Sequence, residues 1–434
     1  HVLWYRAASV VASGGLPAAE GLRASVHERL FPVLLAEVHL LTGVAWLDIL
    51  QYGPALVSGF LAFSVYALLR PSPTAVPATF LVALVPSTAR FLGPAYLVPS
   101  AVALASLPAV LILVLDEGRA RRGRLALAGG LTLAAFFLHL VVGAVVALAL
   151  GLALVTTKAA RSEWAIALSG VAALAVVALV ATPQELVLLA SKEVDRAALE
   201  LDASLFDRLG RAGLALWALG AAIVVWRPER AGSPAVEVFA GLSVALLGLV
   251  AWTIAVAPTA YVTYDRLHAP FFLAAGVVVA DLVVRLARGA AALVGRVQPR
   301  ARGALAGAGA AVVVLGLLTA GLTAQFDEDH GRILHDDDWK RILWMRDNLG
   351  PEHRVFLSDP YLAGAVAATT GMRPAALHTA GVPVADRYDA ADRSGTWLLE
   401  RGISVVVGTV GQPHDERFAE VYPAVWAAAP GTSG

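Results

Sequence analysis

A few cations, imidazoles and carboxylates set against long apolar runs are the residues of this sequence that could do chemistry. Arg266 stands in Tyr261-Val262-Thr263-Tyr264-Asp265-Arg266-Leu267-His268, just ahead of an apolar run. There a guanidinium can fork onto phosphate oxygens while a lipid tail stays among apolar side chains. The alternative is an interfacial anchor paired with Asp265 and flanked by tyrosines. Arg90 is a second cation of this kind. His139 interrupts the run from Phe136 to Val141. A polar side chain at that depth needs a partner or a water-filled cavity, so it either lines a substrate cavity or makes a helix-packing hydrogen bond. Glu37 and His39 break an apolar helix expected from Phe31 to Leu41 and point to different faces at i, i+2. Glu37 is the most site-like carboxylate of the chain, and its plainer reading is a side chain facing water. Asp336-Asp337-Asp338 has the composition of a metal site, but consecutive acids ahead of a helical pattern serve as N-cap and dipole partners. Cysteine is absent, which removes disulfides and thiolate metal sites.

The elements that must position these residues are apolar and long. About nine stretches of roughly 15 to 22 almost uncharged residues recur through the first three-quarters of the chain, Leu97 to Leu115 and Gly303 to Thr323 among them. A helix needs about 20 apolar residues to cross a hydrocarbon core about 30 Å thick. With 58% hydrophobic and 15% charged residues and a mean hydropathy of +0.71, the chain of 434 residues reads as a polytopic membrane protein. Its 33 basic and 33 acidic residues balance, so net charge selects no partner and gives no sign of nucleic acid. Their placement says more. The loops Arg70 to Thr74, Asp116 to Arg124, Lys158 to Glu163, Arg227 to Pro234 and Arg285 to Arg302 hold most of the bases and fall on one side if the helices alternate. By the positive-inside rule that side is cytoplasmic.

Spans are expected near residues 48 to 69, 76 to 88, 97 to 115, 125 to 138, 141 to 156, 164 to 182, 212 to 226, 236 to 256, 269 to 286 and 304 to 323. The 76 to 88 piece and the pair hinged at His139 are short, which predicts helices whose outer ends stop at a cavity. Between Glu185 and Leu209 the apolar residues recur at i, i+4, as in an interfacial amphipathic helix. From Gln325 the texture changes. Trp339, Ile342, Leu343, Met345 and Leu349 follow helical spacing, strand-like runs stand at Val355 to Leu357 and Ile403 to Val407, and helix-like ones at Tyr361 to Thr370 and Thr396 to Arg401. This predicts a small α/β domain. The expected organisation is a membrane domain over residues 1–323, with a first outer loop at 1–30, and an extracytoplasmic α/β domain over 324–434. The chain opens at His1 inside what reads as a helix, without an initiator Met or signal peptide, and a transmembrane helix ahead of it is expected.

The order of these features resembles a family. His1-Val-Leu-Trp-Tyr-Arg-Ala-Ala-Ser to Gly14-Gly15-Leu16-Pro17 looks like the first outer loop of GT-C membrane glycosyltransferases, and Phe31-Pro32 through Gly43 is similar to the apolar helix that follows it. Leu84 to Arg90 and on to Pro99-Ser100 resembles the second outer loop of the oligosaccharyltransferase catalytic subunit. Asp338-Trp339-Lys340 to Trp344-Met345-Arg346 looks like the opening helix of that family's outer domains. The resemblance implies transfer of a sugar, hexosyl or pentosyl, from a polyprenyl-phosphate carrier to a glycan, lipid or protein acceptor on the outer membrane face. It also implies an Asp or Glu in the first outer loop as general base. No acid precedes Glu20, so that residue is expected just upstream of His1, with Glu37 and His139 as substitutes. The family's recurring outer-face Arg favours Arg266, then Arg90, as donor-phosphate ligands, and His1, Tyr96, Tyr264 and His268 are expected to line the substrate cavity. The loop from Ser87 to Ser100 has no acid, so the carboxylate pair that would hold a divalent metal in the oligosaccharyl branch is not present, and the tail lacks that branch's Trp-Trp-Asp acceptor motif. A single-sugar, metal-independent enzyme without cofactor fits better. A non-catalytic GT-C-like subunit or scaffold is the competing class. A transporter fits less well, since the chain shows no inverted repeat and no series of intramembrane carboxylates.

Overall fold

The structure, a computed structural model, describes residues 30–44, 46–82, 85, 98–116, 120–167, 169, 203–255, 264–294, 302–327, 336–357, 366, 369–375, 378–379, 382–383, 391, 393–408 and 412–429. The chain divides into two compact units. One includes Leu50–His330, and the other joins Pro32–Ile49 to Gly331–Gly434.

The first unit is helical. Its helices are α2 (Trp46–Leu69, from residue 50 on), α3 (Ala75–Leu81), α4 (Pro99–Leu115), α5 (Arg121–Leu138), α6 (Leu140–Thr156), α7 (Ala203–Trp226), α8 (Pro234–Ala255), α9 (Tyr264–Val294) and α10 (Arg302–Asp327). Windows in α2, α8 and α9 are long and apolar enough to cross a membrane, and four shorter apolar helices of this unit, in α4, α6, α7 and α10, accompany them. Leu56, Phe63 and Val312 lie 72, 68 and 69% exposed, as side chains do when lipid is the solvent. This is a membrane protein. α9 is its axis: almost wholly buried from Leu267 to Val284, it packs against α3, α7, α8 and α10, while α4, α5 and α6 form an adjoining group.

Polar contacts draw the basic loops together at one end of the bundle. Thr74 Oγ1 donates to Asp281 Oδ1 at 3.2 Å, and Asp281 Oδ2 meets Arg285 Nε at 2.6 Å, the pairing that their one-turn spacing predicts. Gly232 sits against the same carboxylate, where a β-carbon would collide with Oδ1. Arg121 Nε pairs with Glu163 at 2.6 Å, and Thr156 Oγ1 donates to Glu237 at 3.3 Å. These described parts of the basic loops thus lie at one end.

Three helices differ from expectation. α3 has only seven residues, ending at Leu81 beside Gly276 halfway along α9, so this short element is shorter still. α7 begins at Ala203 and runs through Gly210 and Gly213, because a mid-helix glycine costs only about 1 kcal/mol. The last part of the expected interfacial helix is therefore continuous with the span. α9 runs 31 residues, from Tyr264 past the expected ends at 269 and 286.

In the second unit α1 (Leu30–Thr42) ends where Thr42 Oγ1 donates to Val38 O at 2.5 Å and Gly43 takes φ +68°. Such a left-handed residue is a glycine's place after a helix. The tail holds α11 (Asp336–Asn348), β1 (Arg354–Leu357), β2 (Arg373–Pro374), the pair β3 (His378–Thr379) and β4 (Val382–Pro383), α12 (Gly395–Leu399), β5 (Val405–Val407), β6 (Phe418–Tyr422) and β7 (Val425–Ala428). The main sheet has the order β2-β1-β5-β7-β6, parallel through β5 and antiparallel beyond it. Alternation sorts its two faces: Val355, Leu357, Val405 and Val407 pack on Ile342 and Met345 of α11, while Phe356 and Val406 pack with Leu398, Phe418 and Trp426. Trp344 rather than Leu343 joins the first core and stacks on Tyr422, centroids 5.0 Å apart. The β6–β7 hairpin was not foreseen. It turns at Pro423-Ala424, where Ala424 takes φ +59°.

Candidate functional site

The bundle end opposite the basic loops carries the candidate side chains His139 and His268 near helix starts. α5 and α6 are joined by His139 alone, held extended at φ −161° and ψ 114°. The corner is tight enough that a β-carbon on Gly143 would run into the Phe136 backbone, so only glycine fits there. His139 is 7% exposed and caps α6, its Nδ1 accepting from the Val142 N–H at 3.3 Å. In the neutral ring this puts the proton on Nε2. The helix-packing reading of His139 thus has a definite form, an N-cap.

α9 brings Tyr264, Arg266 and His268 onto its first turns. The side chains of Tyr264 and Arg266 lie outside the described residues. The backbone shows one consequence: Pro270 has no N–H, so the Arg266 carbonyl has no donor four residues on. His268 is 2% exposed, and its ring stands edge-on to Phe272 at 6.1 Å and 86°. Phe272 in turn meets Phe271 at 5.7 Å, and Phe271 meets Trp217 of α7 at 5.2 Å. Trp217 Nε1 donates to Ser243 Oγ at 3.0 Å, which ties α8 to the same aromatic wall. The sequence patterns did not single out Trp217 and Ser243. Their signal is a tryptophan N–H inside an apolar span, which must find an acceptor.

Glu37 is exposed on α1, and the Nδ1–H of His39 donates to the Val44 carbonyl at 2.8 Å. Both belong to the unit that contains the sheet, whereas His139 and His268 belong to the helical unit. His1, Arg90 and Tyr96 lie outside the described residues. Among the described residues no group of three His, Asp or Glu side chains comes together in a metal-ligating arrangement. Asp337 and Asp338 are taken by Lys340 and Arg341 at 2.9 and 2.8 Å in the first turn of α11, as helix-start acids are.

No protein-family model matches the sequence, and no curated protein matches it. Solved structures do match. The oligosaccharyltransferase AglB of Archaeoglobus fulgidus, in complex with an inhibitory peptide and a dolichol-phosphate, superposes with a TM-score of 0.52 at 14% identity, covering 93% of this chain and 65% of that one. The apo form of the A. fulgidus oligosaccharyltransferase gives 0.53 at 14% identity, over 94% and 65%. The form tethered to an acceptor peptide containing the NVT sequon gives 0.51 at 14% identity, over 89% and 61%. The present chain therefore spans about two-thirds of that protein's length, and identity this low speaks to the fold. The fold of this chain is similar to that of archaeal oligosaccharyltransferase, a distant likeness.

Proposed function

We propose that this chain transfers a sugar, hexosyl or pentosyl, from a polyprenyl-phosphate-linked donor to a glycan, lipid or protein acceptor on the outer membrane face. The likeness to AglB over 93% of the chain, helical and sheet-bearing units together, carries this reading; one of the matched structures holds a dolichol-phosphate. In this reading residues 1–323 form the membrane domain, residues 324–434 an extracytoplasmic domain, and the basic loops face the cytoplasm. Reporters fused at Gly123 and Gly232 then read cytoplasmic, and those at Gly210 and after Ala324 external. A cytoplasmic tail overturns the topology.

In the reaction an acceptor oxygen or nitrogen attacks the anomeric carbon, the carbon–oxygen bond to phosphate breaks, and the phosphate keeps the electron pair. Its growing charge needs a cation that does not reorganise. Arg266 supports that role, since it stands in the first turn of α9, where the helix dipole adds positive potential; Arg90 is a second ligand. His1, Tyr96, Tyr264 and His268 line the sugar-binding space. Of the two substitute bases within the sequence, His139 has its Nδ1 lone pair on the Val142 N–H, whereas the exposed Glu37 keeps a carboxylate able to accept a proton. No metal or cofactor enters this scheme.

The test is release of labelled sugar from polyprenyl-phosphate hexoses and pentoses by the full-length protein in membranes. Arg266→Lys loses the bidentate fork and is expected to lower donor use about tenfold at normal expression. Equal turnover and donor affinity in the two proteins would remove Arg266 from the site, and absence of transfer from every such donor would overturn the function.

A further inference from the structure

A cavity of about 880 Å³ opens between α3, the basic-end half of α9, and α10. Phe80, Val284, Gly307, Ala311 and Leu315 give it apolar walls, and among the described residues Arg288 is the only charged side chain on its lining. Along α10 it extends from Gly303 to Leu318, about 22 Å at 1.5 Å per residue. Arg285, one turn before Arg288, is taken by Asp281 at 2.6 Å. Arg288 is exposed and pairs with none of the described residues.

Two demands meet here. An apolar groove in a bilayer loses dispersion contacts unless something fits its shape, and a flexible acyl chain does so. A guanidinium at the headgroup level of the basic end, unpaired among the described residues, attracts phosphate. A protein helix docked along the small residues of α10 would instead bury Arg288 without a partner. A donor lipid with its phosphate at the end where α9 begins would not reach it. We propose that this groove binds an anionic phospholipid of the leaflet on the basic-loop side, its phosphate on Arg288 and one acyl chain along α10. The site is separate from sugar transfer, and its test does not depend on that activity.

The experiment uses the whole chain in detergent, with phosphatidylglycerol and phosphatidylcholine of identical chains as probes, and native mass spectrometry to read the lipid retained. The expected result is a preference for phosphatidylglycerol that falls about tenfold in Arg288→Gln, the loss of one charge-assisted contact. Gly307→Leu should lower retention of both lipids, because its side chain takes the acyl chain's place. Nothing lies within 4 Å of an added β-carbon at Gly307, and leucine favours the helix, so this variant folds. Arg227→Gln, a loop cation outside the groove, is the control and leaves retention unchanged. Wild-type retention without headgroup preference, or retention unaltered in both groove variants, overturns the proposal. So does a change of oligomeric state in Gly307→Leu with lipid retention intact, which would mark a helix-docking face.

Discussion

Two carboxylate–arginine pairs, one in each unit, show how the surroundings set what the same chemistry is worth. Asp281–Arg285 lies in the bundle, with Asp281 only 3% exposed, Thr74 donating to one carboxylate oxygen and Gly232 pressed against it. Asp415–Arg417 lies on the sheet-bearing unit. Asp415 accepts from the Arg417 N–H at 3.0 Å, its Nε at 2.9 Å and its Nη2 at 2.6 Å, and the arginine stays 41% exposed. The second pair has more hydrogen bonds, yet water can replace most of what it provides. In the first, three chain segments depend on one buried charge remaining paired.

Breaking the buried pair is expected to have the largest effect. Arg285→Met strands the Asp281 carboxylate and should cost about 3–5 kcal/mol, read as loss of folded protein in detergent, whereas Asp281→Leu with Arg285→Met should recover much of it. Equal losses in the single and double variants would show that the pair does not act as a unit. Gly232→Ala pushes a methyl group into the same carboxylate and should cost about 1–3 kcal/mol by thermal melting. Next comes His139→Ala, which removes the cap of α6 and should cost about 1 kcal/mol; His139→Asn, able to cap as well, should restore it.

The smallest effect is expected at the exposed pair, where Arg417→Met should shift the melting temperature least at neutral pH. Its pH dependence sharpens the contrast. Hydrogen bonds from the Arg417 side chain, then from its backbone N–H, hold the Asp415 carboxyl at about 2, below its ordinary 3.8. A carboxyl depressed on folding contributes stability above its unfolded value and loses it as pH falls through the folded one. The melting difference between wild type and Asp415→Asn should thus be full above about pH 4 and gone below about pH 2. A difference that persists unchanged at the lowest pH would detach Asp415 from this linkage.

The helices were legible where length and apolarity state the answer: α4, expected over 97–115, forms over Pro99–Leu115, and α6, expected over 141–156, forms over Leu140–Thr156. The sheet was half legible. β1 and β5 are apolar enough to read as buried strands, but β6 alternates weakly, and only pairing with β7 makes it a strand. At the candidate site, the residue types at His139 and His268 were visible as polar breaks in apolar runs. That Nδ1 of His139 faces the Val142 N–H, and that Trp217 reaches Ser243, depend on backbone geometry that no spacing encodes.

By itself the sequence determined that the chain is a membrane protein, because long uncharged runs have no other stable solvent, and that the bases gather in a few short loops. It determined the Asp281–Arg285 pair too, since four residues are one helical turn. Only the tertiary structure decided that Thr74 and Gly232, 158 residues apart in number, meet at that carboxylate, that α3 stops at Leu81, and that α3, α9 and α10 leave a groove at Arg288. Helical spacing governs neighbours within a turn. Which helices touch, and where they part, follows from side-chain shapes packed across the whole bundle.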